Sequence, residues 1–227
     1  MSRARWNAPE GTVTRGTTAP NRLRRVDRWI AATQAQSLRS AEQPPLVIDL
    51  GFGASPVTTV ELYERLRMVR PDVEVIGLEI DPARVEEGGR FLGESRRSER
   101  HPGLAFGLGG FELPVPKPPL LVRALNVLRQ YDEEEAWRAW NRLSAGLAPG
   151  GVLVEGTCDE VGRRAVWVTL GRAGAGEAFR QGRQIGRDAG IRQLAFREAD
   201  RPLVLAQDEI HLPAFLVANI VERQVAP

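Results

Sequence analysis

Cysteine is almost missing from this chain: Cys158 is the single one in 227 residues. A lone thiol forms no internal disulfide and supplies no metal framework. Long apolar runs are missing too, none reaching the roughly 18 residues that a membrane-spanning helix needs. The first residues, Met1-Ser2-Arg3-Ala4-Arg5, carry charge with no apolar stretch behind them. They do not read as a secretory signal, and the cytoplasm is the expected compartment. Lysine is scarce, with Lys117 alone among many arginines, a bias that goes with a GC-rich, bacterial-type genome rather than with a phosphate-binding surface. Net charge is only +2, too near balance to point to nucleic acid.

What is present is ordinary for a soluble globular protein: 42% apolar and 26% charged residues. The length suits one medium domain with a proper core. Charge is uneven along it. Residues 1–28 hold seven arginines against Glu10 and Asp27. Residues 1–20 therefore read as a basic, irregular arm, either solvated or in contact with an anionic substrate or RNA. Residues 21–227 read as a single domain.

Alternation of strand and helix signals organises the first two thirds. Asn21 is placed to cap a helix reaching about Ser37, with Leu23, Val26, Trp29, Ile30 and Thr33 at helical spacing. Pro44-Pro45 introduces a strand at Leu46–Leu50, apolar on both faces except for Asp49, as a covered central parallel strand should be. Ser55-Pro56 then signals a helix start, with Val60, Tyr63 and Met68 along that helix. Further strands are expected at residues 73–78, 104–108, 120–125 and 152–156. Helices are expected after Asp81-Pro82 and from Asp132 to Leu147, the latter with an acidic first turn that suits the helix dipole. This alternation predicts a doubly wound α/β sheet. Beyond Arg172 the pattern weakens. Residues 165–170 and 202–206 read as strands, residues 173–200 as a glycine-interrupted helix at best, and residues 215–221 as an apolar closing segment.

The most telling stretch is Val47-Ile48-Asp49-Leu50-Gly51-Phe52-Gly53-Ala54-Ser55-Pro56. Gly51 and Gly53 remove side chains where a backbone must approach a ligand, and N–H groups at the following helix start offer donors to polar atoms. A second apolar run, Val73-Glu74-Val75-Ile76-Gly77-Leu78-Glu79-Ile80-Asp81, ends in an acid beside that loop. Glu79 is placed to accept both hydroxyls of a ribose. Two cofactor types satisfy this pattern, a dinucleotide and S-adenosyl-L-methionine. The dinucleotide fingerprint asks for a third glycine where Pro56 stands.

Here the chain resembles the class I S-adenosylmethionine-dependent methyltransferases. Asp49-Leu50-Gly51-Phe52-Gly53 is similar to their first motif and Gly77-Leu78-Glu79-Ile80-Asp81 to their ribose-binding motif. Gly110-Phe111-Glu112-Leu113-Pro114 stands where their adenine-contacting segment lies, with Gly110 in place of the frequent aspartate. Arg123-Ala124-Leu125-Asn126-Val127-Leu128 and Leu147-Ala148-Pro149-Gly150-Gly151-Val152-Leu153-Val154 are similar to the end of their fourth strand and the approach to their fifth. The resemblance spans residues 44–156, the expected cofactor-binding core, with residues 157–227 left for C-terminal strands and substrate elements.

The resemblance implies a Rossmann-like, mostly parallel seven-stranded sheet with helices on both faces and one antiparallel strand near its edge. It implies S-adenosyl-L-methionine as cofactor, bound through Asp49, Gly51, Phe52, Gly53, Glu79, Ile80, Phe111, Glu112 and Asn126. Candidates for a catalytic group are Asn126, Tyr131, Glu155, Asp159 and Glu160, at the carboxyl ends of the fourth and fifth strands. Asn126 is followed by Val127-Leu128, which does not complete the Asn-Pro-Pro-Tyr motif of amino-group methylases of the DNA adenine type. Asn21, Arg22 and Arg25 are expected near the cofactor's carboxylate or an anionic acceptor, as part of a lid. A small-molecule acceptor is expected ahead of RNA. An inactive binder of the cofactor or its product, and another nucleotide-dependent enzyme such as a dehydrogenase or aminopropyl transferase, remain as alternatives. Asp208-Glu209-Ile210-His211 lacks the helical H-E-x-x-H spacing, so no metal site is expected.

Overall fold

In the computed structural model the described residues are 8–94, 97–163, 165–171, 196–198 and 201–206. Five parallel strands carry the architecture: β1 (Leu46–Leu50), β2 (Glu74–Glu79), β3 (Leu104–Leu108), β4 (Leu121–Leu125) and β5 (Val152–Cys158). β6 (Ala165–Gly171) returns antiparallel beside β5. β8 (Arg201–Ala206) pairs antiparallel with β6, and β7 (Phe196–Glu198) with β8. The strand order is β3-β2-β1-β4-β5-β6-β8-β7. The sheet is mostly parallel and Rossmann-like, with eight strands where seven were expected. The added strand is the short β7, too brief to leave an alternation pattern in the sequence.

Helices cover both faces because every central strand is apolar on both sides. On one face α6 (Glu133–Gly146) packs Ala136, Ala139, Trp140 and Leu143 against Ile48, Val122, Leu153 and Val168. Asp132 caps it, with a reciprocal capping box to Glu135. On the other face lie α1 (Arg24–Thr33), α2 (Ala35–Ser40) and α3 (Val57–Arg67), which set Val26, Ile30, Leu38, Leu62 and Leu66 against Val47, Val75, Leu121 and Val154. α4 (Pro82–Gly93) is started by the Asp81 side chain, which accepts the Ala83 N–H at 2.9 Å, and α5 (Arg97–Arg100) is a single turn.

Several local expectations change. The helix expected over 21–37 is two helices, broken at Gln34, and Asn21 does not cap it: Asn21 sits at φ 63° ahead of the first turn. Pro56, not Ser55, is the N-cap of α3. Met68, expected along that helix, lies just past its end and is 87% exposed. The fifth strand runs two residues further than expected, because pairing with β6 continues to Cys158. The helix expected over 173–200 lies mostly outside the described residues, as do the closing segment 215–221 and the 208–211 cluster.

β1 and β4 are neighbours, yet the chain runs outward from β1 to β2 and β3 before crossing back. Their carboxyl ends thus flank the point where the strand order reverses, where open α/β sheets leave a crevice.

Candidate functional site

A cavity of about 350 Å³ opens at that reversal point. Its floor is made by Asp49 near the end of β1, by Gly51, Phe52 and Gly53 after it, and by Leu125 and Asn126 at the end of β4. Gly51 and Gly53 take φ of 71° and 83°, a region that L side chains rarely adopt. A Cβ on Gly51 would lie 2.8 Å from Val127 Cγ2, and one on Gly53 would lie 2.8 Å from the Gly16 carbonyl oxygen. The loop is therefore tight on both sides, and glycine is required.

Glu79 stands beside it at the tip of β2, 2% exposed. Its Oε2 accepts the Gly53 N–H at 3.0 Å and an Arg84 Nη1–H at 3.4 Å; its Oε1 accepts the Ile80 N–H at 2.9 Å. The expected pairing of acid and glycine loop is thus one contact in the structure. Asp49 is different. Arg123 Nε and Nη2 donate to its two oxygens at 2.9 and 2.7 Å, and the Thr59 hydroxyl donates at 2.6 Å. Its carboxylate is committed to the protein, so it shapes the floor rather than offering a free acceptor.

Asn126 also lines the cavity, at φ 64°. Its Oδ1 accepts from the Thr157 hydroxyl and the Cys158 N–H, both at 2.9 Å, and its Nδ2 donates to Cys158 Sγ at 3.1 Å. One amide hydrogen is left without a partner among the described residues. The other catalytic candidates lie elsewhere. Glu155 is 2% exposed in the core and lines neither this cavity nor the smaller cleft beside Glu79. Burial pushes its carboxyl up to about 8. Asp159 accepts the Arg163 N–H on its side chain, and Glu160 is exposed. The Tyr131 hydroxyl accepts the Thr12 N–H.

That last contact belongs to a strap, residues 10–18, which runs across the carboxyl ends of β1, β2 and β3. Glu10 donates its N–H to Glu112 Oε2 at 2.8 Å and accepts the Phe111 N–H on its carbonyl at 3.0 Å. Arg84 Nη2 donates to the Thr14 carbonyl at 2.8 Å, and Ala54 N–H donates to the Gly16 carbonyl at 2.9 Å. Beneath residues 10–14 only a cleft of about 20 Å³ remains, between Glu79, Ile80, Gly110, Phe111 and Tyr131. Phe111 and Glu112, expected to meet a base, meet the strap instead.

Of the expected lid residues, Arg22 lines the large cavity, 6% exposed. Its Nε donates to the Asp159 carbonyl at 3.0 Å and its Nη1 to the Thr17 carbonyl. Asn21 donates its N–H to Glu61 and Arg25 is exposed on α1; neither lines the cavity. Sequence reading missed Arg84, Arg123 and Arg129. Arg123 had a signal: one arginine and one aspartate, each inside an apolar strand, stand in register as Asp49 and Arg123 of neighbouring strands. Among the described residues no group of three His, Cys, Asp or Glu is placed to hold a metal, and no helix is long and apolar enough to cross a membrane.

No family model matches the chain, and no curated protein matches its sequence. Among solved structures it is similar to a magnesium protoporphyrin IX methyltransferase (ChlM) from Synechocystis PCC 6803 with bound S-adenosylhomocysteine. Identity there is 20%, over 58% of this chain and 56% of that one, with a TM-score of 0.41. It is also similar to an O-methyltransferase (NcsB1) from neocarzinostatin biosynthesis in complex with S-adenosylhomocysteine, with 20% identity over 78% of this chain and 52% of that one, TM-score 0.43. The chain spans about half the length of these structures.

Proposed function

We propose that this chain is a class I methyltransferase that uses S-adenosyl-L-methionine to methylate a small molecule. The observation that carries the reading is the buried Glu79 carboxylate, 3.0 Å from the backbone N–H of Gly53 and next to a cavity at the strand-order reversal. That arrangement suits a ribose, whose two hydroxyls donate to an acid at the tip of β2 while a bare glycine loop passes close to the attached sulfur chain. Asn126, with one amide hydrogen uncommitted, faces the part of the cavity where the amino-acid end would lie.

When bound, the cofactor supplies a methyl group activated as a sulfonium: an acceptor lone pair takes the methyl carbon, the carbon–sulfur electron pair stays on sulfur, and the acceptor's proton leaves to solvent. The protein's part is alignment in a closed space. Among the described residues the cavity wall offers no free carboxylate or histidine as a base, since Asp49 is held by Arg123 and Thr59. An acceptor that is nucleophilic through its own ionisation fits such a wall. For an adenosine moiety to reach Phe111 and Glu79, residues 10–14 must lift while Gly16, bonded to Ala54, serves as the pivot.

The test is calorimetric titration with S-adenosylmethionine, S-adenosylhomocysteine and NAD, on the natural chain and on Glu79→Ala. Micromolar binding of the first two, lost in the variant, supports the reading. Binding of NAD alone, or of none, overturns it. The Glu10 carbonyl on the Phe111 N–H favours one second reading, a protein that binds the cofactor or its product without turnover. Transfer of a labelled methyl group separates the two.

A further inference from the structure

The large cavity is cationic in a way the cofactor does not explain. Arg15, Arg22 and Arg129 all line it. None of the three has a carboxylate partner among the described residues, and the one acid in the wall, Asp49, is neutralised by Arg123. Arg15 and Arg129 are exposed at the mouth, where solvent screens them. Arg22 is not screened: it is 6% exposed, donates to two backbone carbonyls, and leaves Nη2 without a partner among the described residues. A buried guanidinium that meets only neutral oxygens among the described residues keeps a charge that none of them balances. Thr18 lines the same wall, and its buried hydroxyl has no hydrogen-bond partner among the described residues.

S-adenosylmethionine worsens this imbalance. Its sulfonium and ammonium bring two positive charges against one carboxylate, so the loaded cavity is more positive than the empty one. We infer that the second ligand of this cavity is an oxyanion, a carboxylate or phosphate group on a small methyl acceptor, held by Arg22 with Thr18 and attracted by Arg15 and Arg129. The assignment as acceptor rests on the proposed methyltransferase function; the anion site itself rests on the cavity. A guanidinium presents paired N–H donors to such a group, and a charge-assisted contact in this setting is among the stronger polar interactions. The depth of Arg22 favours a small acid over a nucleic-acid backbone, which would meet the exposed arginines first.

The experiment is calorimetric titration of the full chain in low-salt buffer with malonate and, separately, inorganic phosphate. Malonamide is the uncharged control, and each titration is run on the protein alone and saturated with S-adenosylhomocysteine. Anion binding to the saturated protein, absent for malonamide, supports the proposal, and the tighter of the two anions tells a carboxylic acid from a phosphate ester. Arg22→Gln is expected to weaken it about ten-fold. Arg22→Lys, which keeps the charge, and Arg129→Gln, which leaves the buried contacts alone, each cost about three-fold. Arg90→Gln, on the far side of α4, changes nothing. Absence of binding by both anions overturns the proposal, as does an equal loss in Arg90→Gln, the mark of diffuse charge. Displacement of both anions by S-adenosylhomocysteine also overturns it, because Arg22 then serves the cofactor's own carboxylate. Failure of S-adenosylhomocysteine to bind overturns the acceptor assignment through the function it rests on, and is told apart by anion binding that persists without it.

Discussion

Glu155 sits on β5 with Ala124 of β4 on one side and Val168 of β6 on the other. The Trp140 side chain draws its pKa down only in part, and burial holds it up at about 8. At neutral pH it is a neutral acid in an apolar layer, not a general base. The folded pKa lies above the unfolded value near 4.5, so the unfolded chain ionises first as pH rises. The stability this group contributes is complete below about pH 4.5 and is lost progressively up to about pH 8. Glu155→Gln removes the titration while keeping the shape. Its melting temperature should match the natural chain at pH 5 and exceed it by several degrees at pH 8; equal shifts at both pH values would contradict this. Gly51 makes the opposite point, that a residue acts here by what it lacks. Gly51→Ala sets a methyl 2.8 Å from Val127 at φ 71°, and about 1–3 kcal/mol of stability should be lost. Urea unfolding measures the loss, together with weaker binding of S-adenosylhomocysteine.

At the scale of elements, the strap and the sheet differ in how far the sequence reveals them. Each parallel strand is a short apolar run closed by a glycine, acid or asparagine, as in Leu50-Gly51, Glu79-Ile80-Asp81 and Leu125-Asn126. Local chemistry is enough to place such strands, and the alternation with helices supplies the order. The contact between Glu79 and the glycine loop was legible for the same reason. The strap was not, because what positions it is distant in sequence: Glu10 meets Phe111, and Thr12 meets Tyr131 and Gln130. No periodicity announces a backbone carbonyl seated on a loop N–H a hundred residues away. Among the catalytic candidates Asn126 reaches the cavity wall and Glu155 does not, because a strand's alternate residues face opposite layers, which carries Glu155 into the core beneath α6. The strap also yields a prediction. Residues 10–14 cover Phe111 and engage Arg84, so a cofactor must displace them and break the hydrogen bonds of Glu10, Thr12 and Thr14, each of small net value because water replaces the lost partner. Deleting residues 1–14 should tighten S-adenosylhomocysteine binding roughly ten-fold. Weaker binding on deletion would mean that the strap belongs to the bound state.

Across the whole molecule, one buried cluster ties the arm-bearing helix to the sheet. Arg123 on β4 is fully buried and reaches Asp49 on β1, Asp27 on α1 and the Thr58 carbonyl on α3. Arg65 adds a second guanidinium to Asp27 at 3.3 Å. These contacts join four elements, β4, β1, α1 and α3, so the position of α1, and of Arg22 just before it, depends on a charge at the sheet centre. Coulomb attraction inside the core is strong, but so is the cost of removing each ion from water, and the net value of such a cluster is small. Breaking it unevenly is another matter. Arg123→Met leaves the buried Asp49 carboxylate without its cation and Asp27 with Arg65 in place of two cations, and should cost about 3–5 kcal/mol in urea unfolding. The triple change Arg123→Met, Asp27→Leu, Asp49→Leu removes all three charges and should recover most of that loss. If instead the losses add, the cluster contributes net stability. If they cancel as expected, its role is to fix where α1 sits: the triple variant should then stay folded yet bind anions more weakly at Arg22, because α1 has lost its tie to the sheet centre and its start is held by the Arg22 and Asn21 contacts with Asp159 and Glu61.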